Sequence, residues 1–245
     1  QDFGVRVLAG GSLSKRPMLR VTSPLRQMGA LIDSRRLSHE EYPPIFISGG
    51  RLSGITYEME VASAQVKSAI LLAGLYASGE TKVIEPVKTR DHTERMLKFF
   101  GAAIKLQGNT TVIKKTAALK TPGAIFIPGD FSSASFFIVA AAILPGSRLI
   151  LKDINLNPTR IGLLKVLKRM GANISIKEGG KSPPSSEPAG DIEITSGDLR
   201  AVRVFDREIP SLIDELPILM VAACFAKGTT ILEGVGELRF KETDR

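Results

Sequence analysis

Four short stretches gather the side chains able to do chemistry. In Ser63-Ala64-Gln65-Val66-Lys67, Ser63 reads as the N-cap of a helix whose first N–H groups are unpaired. With the positive dipole end, they suit a phosphate, and Ser63 and Gln65 add donors. The plainer alternative is an ordinary capped helix with Lys67 in solvent. Thr89-Arg90-Asp91-His92-Thr93-Glu94 sets an arginine just ahead of another helix start. Capping accounts for Asp91 and Glu94, and His92 reads as a surface residue of the capping region. Arg90 is left over, and its planar fork fits a phosphate. Ile213-Asp214-Glu215-Leu216-Pro217 places two acids before an apolar run. The helix dipole favours acids there in any case, yet an Asp at the mouth of a buried helix is also placed to act as a general base. Lys241-Glu242-Thr243-Asp244-Arg245 is either a solvated charge run or a division of labour, with cations for a ligand's anions and Glu242 for proton transfer. The stretches at 63–67, 90–94 and 241–245 together fit a small, heavily anionic substrate on which protons are moved.

The elements that must position these residues repeat. Leu25–Ile32, Leu97–Ile104 and Leu167–Ile174 each read as the end of an amphipathic helix, closed by Gly29, Gly101 or Gly171 and leading into a strand, at a period of about seventy residues. Turns bearing Arg16, Arg90 and Arg160 precede these helices, and Arg245 ends a fourth such turn. Ahead of the later turns lie strongly apolar helices, Ser63–Tyr76, Ser132–Leu144 and Asp214–Ala226, each followed by Gly and a short β-type run. Apolar nearly all round, these helices belong in the middle of a domain. The unit is therefore strand, buried helix, strand, surface helix, strands, which makes the chain an α/β protein. A Gly/Pro-rich strand near Pro122–Gly129 is predicted to cross between domains, and Gly179–Gly190 is predicted to be a mobile surface insertion.

Composition narrows the partners. With 43% hydrophobic and 24% charged residues over 245 positions, the chain reads as a soluble globular protein of one or two domains. No apolar run is long enough for a bilayer, so no membrane partner is expected. The net charge of +8 admits nucleic acid, but the basic residues are spread out, Trp is absent and Tyr occurs three times. A pocket for phosphorylated or carboxylated ligands explains the charge equally well. Two distant histidines, His39 and His92, give no zinc-ligand spacing. The single cysteine, Cys224, sits in an apolar run and reads as a buried small hydrophobe. The chain begins without Met and stops inside a charged helix start, which reads as a fragment.

These motifs closely resemble those of the 5-enolpyruvylshikimate-3-phosphate synthases, in order and spacing, from Ser12-Leu13 and Arg16-Pro17-Met18 to Lys241–Arg245. Ser63-Ala64-Gln65-x-Lys67, Arg90-x-His92-x-Glu94 and Asn157-x-Thr159-Arg160 resemble the class II branch, which is often glyphosate-tolerant. The resemblance implies transfer of enolpyruvyl from phosphoenolpyruvate to shikimate 3-phosphate, with no metal or organic cofactor. The expected setting is the shikimate pathway in the cytoplasm, on a monomer that binds glyphosate weakly. It implies the two-domain enolpyruvyl transferase fold, an inside-out α/β barrel of repeated βαβαββ units with helices inside and sheets outside. Residues 1–126 are then part of the inserted, shikimate-3-phosphate-binding domain and 127–245 part of the second, with Ile125–Asp130 a crossover.

Residue by residue, the resemblance implies that Ser63 and Arg90 hold the phosphate of shikimate 3-phosphate, and that Ala64 lines the same site. Gln65 lies against the substrate ring and reaches the phosphoenolpyruvate phosphate, which Arg16 also holds; Arg245 holds its carboxylate. Asp214 and Lys241 meet the attacking 5-hydroxyl, Asp214 as base, and Glu242 protonates the methylene and later takes a proton back. The family's N-terminal Gly-Asp-Lys-Ser-x-x-x-x-Arg stretch, its Asn-Ser-Gly-Thr turn and its C-terminal Arg and Lys are absent, and its Gly-Asp turn reads Ala9-Gly10 here. Since the family's cations act together, this chain alone is expected to turn over weakly or not at all. The rival readings are a UDP-N-acetylglucosamine enolpyruvyl transferase, which needs a loop cysteine, and a non-catalytic remnant that binds a phosphorylated metabolite.

Overall fold

A computed structural model describes residues 3–121, 123–178 and 187–240. In chain order the elements are β1 (Gly4–Val7), a 3-10 turn at Gly11–Lys15, α1 (Leu19–Gln27), β2 (Leu31–Leu37), β3 (Glu40–Ser48), β4 (Thr56–Glu58), α2 (Ala64–Gly74), β5 (Glu80–Ile84), α3 (His92–Phe99), β6 (Ile104–Gln107) and β7 (Thr110–Lys114). They continue with α4 (Phe131–Ile143), β8 (Arg148–Asn155), α5 (Gly162–Arg169), β9 (Asn173–Glu178), β10 (Ala189–Thr195), β11 (Arg203–Val204), α6 (Leu216–Cys224) and β12 (Ile231–Leu232). None of the described helices is long and apolar enough to cross a membrane.

The repeat is visible as topology. Residues 56–114 run β4-α2-β5-α3-β6-β7, and their sheet is ordered β4-β5-β7-β6, with β4 parallel to β5 and the other neighbours antiparallel. The segment α4-β8-α5-β9-β10 repeats the pattern as β8-β10-β9, with a single parallel bridge, Gly129 to Ile154, where the first strand would stand. At the start of the chain, β1-β3-β2 is the last part of the same arrangement.

One local device ends all three amphipathic helices. Gly29, Gly101 and Gly171 have positive φ of 97, 78 and 97°. Their N–H groups bond back to Arg26, Lys98 and Lys168, while the next N–H bonds the carbonyl of Leu25, Leu97 or Leu167. This is the Schellman closure, and it reverses the chain into the following strand. A side chain at these positions would meet the left-handed penalty, which glycine does not.

The chain divides into two compact units. Residues 1–88, 97–121 and 237–245 form the first, and 89–96 with 122–236 form the second. In the first, α1 packs on α2 and α2 on β5 and β7 around Met28, Ile70, Leu71, Val83 and Ile113. In the second, α4 packs on α6, β8 and β10, and the core includes Phe131, Ile138, Leu163, Leu167, Ile192 and Leu216.

Several expectations change. The apolar helices bury one face each, but Leu72 of α2, Phe136 and Phe137 of α4, and Met220 and Val221 of α6 stay exposed. Cys224 is exposed too, because it ends α6 beside exposed Phe225 rather than on the Leu216–Leu219–Ala222 face. Within 123–130 only Gly129 bridges to a neighbour, and no strand forms; Pro128, lacking an N–H, cannot donate to a ladder. Of the Gly179–Gly190 segment, 179–186 lie outside the described residues, whereas Ala189 and Gly190 are buried and begin β10.

Candidate functional site

The second unit assembles a charge cluster around the start of α6. Glu215 is its N-cap residue and Pro217 stands in its first turn, so the helix begins where the acids were read from sequence. The preceding turn is pinned by a close approach: a Cβ on Gly162, at the start of α5, would lie 2.2 Å from Ser211 Oγ. Asp214 therefore projects from a turn set against α5.

Arg90 Nη1 donates to Asp214 Oδ2 at 2.6 Å, joining two of the residues singled out above across 124 positions. Arg160 adds a second cation. Its Nη2 donates to Ser132 Oγ at 2.5 Å and Asp130 Oδ1 at 3.3 Å, and its Nη1 lies 3.9 Å from Asp214 Oδ2. Ser132 Oγ in turn donates to Glu215 Oε1, which lies 3.9 Å from Arg160 Nη2. Asp130 also caps α4, accepting from the Ser133 N–H at 2.7 Å. Burial pushes the Glu215 carboxyl up, opposed by the Ser132 hydrogen bond and the Arg160 charge and aided by Asp214. Burial raises Asp130 as well, but its Ser133 hydrogen bonds and Arg160 win and hold it low.

The turns that deliver both arginines are sewn together. Asn157, fully buried, donates to Asp91 Oδ1 at 2.8 Å and to Glu187 Oε2 at 2.9 Å. Thr159 Oγ1 accepts from the Asp91 N–H at 3.3 Å. Arg95 Nε donates to Asp91 Oδ1 at 2.8 Å, and His92 Nδ1 meets Glu187 Oε1 at 2.9 Å. Asp91 thus stands at the N-terminus of α3, as its spacing indicates, but its carboxylate ties two turns together. Burial raises Asp91 and Glu187; the bonds from Arg95 and Asn157 in one case, and from His92 and Asn157 in the other, outweigh it and leave both carboxyls below their usual range.

The first unit carries the other predicted residues. Ser63 is the N-cap of α2, accepting from the Val66 N–H at 3.4 Å, and Gln65 is exposed on the first turn beside half-buried Ala64. Ser63 lines a cavity of about 300 Å³ with Arg20, Glu40, Tyr57 and Glu60. Arg16 follows the Gly11–Lys15 turn and is half-buried. Lys67, the solvent lysine of the plainer reading, is fully buried instead, with Nζ 3.0 Å from Glu85 Oε2. Lys241, Glu242 and Arg245 lie outside the described residues.

Reasoning from sequence singled out Arg90 and Asp214 separately and did not foresee that they pair, nor Arg160 as their neighbour with Ser132, Asp130 and Asn157 around it. The signal was present in the Asn157-x-Thr159-Arg160 motif, which occupies the turn equivalent to that of Arg90 in the repeat.

Comparison with known proteins agrees with this architecture. The family model described as EPSP synthase (3-phosphoshikimate 1-carboxyvinyltransferase) matches residues 2–245. A 3-phosphoshikimate 1-carboxyvinyltransferase of Shouchella clausii is 51% identical over 245 residues, covering 100% of this chain and 56% of the relative. That of Bacillus subtilis is 50% identical over 246 residues with the same coverage. The EPSP synthase structure from Acinetobacter baumannii superposes with a TM-score of 0.82 at 45% identity, over 100% of this chain and 54% of that one. The chain therefore spans a little over half the length of these relatives, and its mixed α/β fold matches that of the Acinetobacter baumannii structure. It belongs to the EPSP synthase family.

Proposed function

We propose that this chain supplies a large part of the site that transfers enolpyruvyl from phosphoenolpyruvate to the 5-hydroxyl of shikimate 3-phosphate, releasing phosphate. The observation that carries the reading is the Arg90–Asp214 pair at the start of α6: a cation able to fork onto a phosphate, beside a partly exposed carboxylate able to take a proton. Asp214 removes the hydroxyl proton as the oxygen attacks C2 of phosphoenolpyruvate, and Glu242 delivers a proton to the methylene carbon. Glu242 then takes a proton back as the C2–O bond to phosphate breaks. Ser63, Ala64, Gln65 and Arg90 bind shikimate 3-phosphate, Arg16 the phosphate of phosphoenolpyruvate, Arg245 its carboxylate, and Lys241 assists at the hydroxyl.

The same reading places the division between two domains near residue 126, each domain a ring of βαβαββ units with helices inside. It sets the protein in the cytoplasm as a monomer, and glyphosate binds weakly. Transfer to a UDP-amino sugar is disfavoured, because the relatives about 50% identical to this chain are 3-phosphoshikimate 1-carboxyvinyltransferases.

The test is phosphate release from the two substrates, by this chain and by a chimera completed with the flanking segments of the Shouchella clausii relative. The chimera is expected to turn over and this chain to do so weakly or not at all. Asp214→Asn in the chimera is expected to lower kcat by about 10³-fold. A chimera that releases no phosphate, or an Asp214→Asn variant at full rate, overturns the reading.

A further inference from the structure

Arg90 stands just ahead of α3, outside any helix or strand, so hydrogen bonds of its neighbours must set its backbone. The next peptide supplies one. The Asp91 N–H donates to Thr159 Oγ1 at 3.3 Å, and that N–H belongs to the planar peptide joining Arg90 to Asp91. Holding this plane fixes rotation about the Cα–C bond of Arg90, at the carbon from which the guanidinium arm extends. Both turns belong to the second unit.

The Thr159 hydroxyl is itself oriented. Its one proton has two acceptors in reach, Asn157 Oδ1 at 2.7 Å and Asp91 Oδ1 at 3.2 Å, and the nearer takes it. Asn157 Oδ1 also accepts the Thr159 N–H at 2.9 Å. Asn157 is fully buried, and its amide nitrogen donates to Asp91 Oδ1 at 2.8 Å and to Glu187 Oε2 at 2.9 Å. Flipping the amide would set its oxygen against two carboxylates, so the Asn157 acceptor stays on Thr159. The hydroxyl lone pairs are thereby left to the Asp91 N–H. A chain of hydrogen bonds runs from a buried amide to the peptide beside Arg90.

We propose that Thr159 is a positioning residue for substrate binding: its hydroxyl, oriented by Asn157, sets the backbone from which Arg90 reaches the phosphate of shikimate 3-phosphate. The inference rests on the functional reading above, in which Arg90 holds that phosphate. It divides the Asn157-x-Thr159-Arg160 motif by task, with the amide orienting the hydroxyl and the hydroxyl holding the neighbouring turn.

The test is the dissociation constant of shikimate 3-phosphate for variants of this chain, with circular dichroism as the check on folding. Thr159→Val keeps the shape and removes the hydroxyl, and is expected to weaken binding about fivefold. Thr159→Ser restores a hydroxyl and is expected to recover most of that loss. In an Arg90→Gln background, Thr159→Val is expected to change affinity by less than about 1.5-fold, because the arm it positions is gone. Thr159→Ala takes its place in the cycle if Thr159→Val fails to fold. A valine variant that binds as the parent does, a serine variant as weak as the valine one, or a penalty undiminished in Arg90→Gln overturns the inference while the functional reading stands. Failure of the parent chain to bind shikimate 3-phosphate overturns both.

Discussion

Each unit contains an ion pair tied to a helix start, and the two pairs differ in kind. In the first, Lys67 on α2 meets Glu85 just beyond β5 at 3.0 Å, with side-chain exposures of 0% and 2%. In the second, Arg90 meets Asp214 at 2.6 Å, with exposures of 20% and 30%. The lysine pair is sealed against solvent, and removing one partner would leave the other charge buried. The arginine pair is within reach of solvent and has a second cation, Arg160, 3.9 Å from its carboxylate. Two opposite charges about 3 Å apart are thus sealed in one place and partly open in the other, and the proposed function uses the open pair as the receptor.

The most direct way to break this comparison is to remove Lys67. Lys67→Met is expected to cost about 3–5 kcal/mol of unfolding free energy in urea, because Glu85 is left buried. The double variant Lys67→Met/Glu85→Leu should recover most of it. Recovery confined to the double variant marks the pair as a tie; a stable single variant contradicts the contrast.

Asn157→Ala sharpens the other side. It deprives Asp91 and Glu187 of a buried donor and is expected to cost about 1–3 kcal/mol. If it also weakens shikimate 3-phosphate binding, measured under conditions where the fold is intact, then the tie between the two turns positions Arg90.

Acid separates the pairs from their surroundings. Burial raises Glu41, but hydrogen bonds from Arg26 and Thr22 outweigh it and bring its pKa to about 2. A carboxyl with a depressed folded pKa stabilises fully above the unfolded value of 4.5, and that contribution fades as pH falls toward about 2. Glu41→Gln is therefore expected to flatten the loss of stability in that window, read as the unfolding midpoint against pH.

Glu215 carries the opposite sign and the smallest effect. Its raised pKa means that the folded state favours the proton, so its contribution is largest below the ordinary carboxylate range and declines as pH rises through its folded value. Glu215→Gln is expected to match the parent at low pH and to be slightly more stable at about pH 8. Greater stability of the parent under those alkaline conditions contradicts this.

What could be read in the sequence was local. Gly29, Gly101 and Gly171 announced three helix ends because a left-handed residue after an amphipathic helix has few uses. Ser63 before α2 and Asp214-Glu215 before α6 announced helix starts for equally local reasons. What could not be read needed the fold. Asn157 finds Asp91 across 66 positions, and Arg160 finds Ser132 across 28, through tertiary contacts that no local pattern announces. Lys67 reads as a surface lysine until β5 brings Glu85 to it. Cys224 reads as buried because its run is apolar, but an apolar run does not say which face is covered.

The central contrast is tested most directly by calorimetric titration of shikimate 3-phosphate into the parent chain and into Arg90→Gln, with urea unfolding of both. The account expects affinity to fall about a hundredfold while stability falls by less than it does in Lys67→Met, since the Arg90–Asp214 pair keeps 20% and 30% of its side-chain surface in solvent where the Lys67–Glu85 pair keeps 0% and 2%. An Arg90→Gln protein that binds as the parent does, or one that loses its fold, would contradict it.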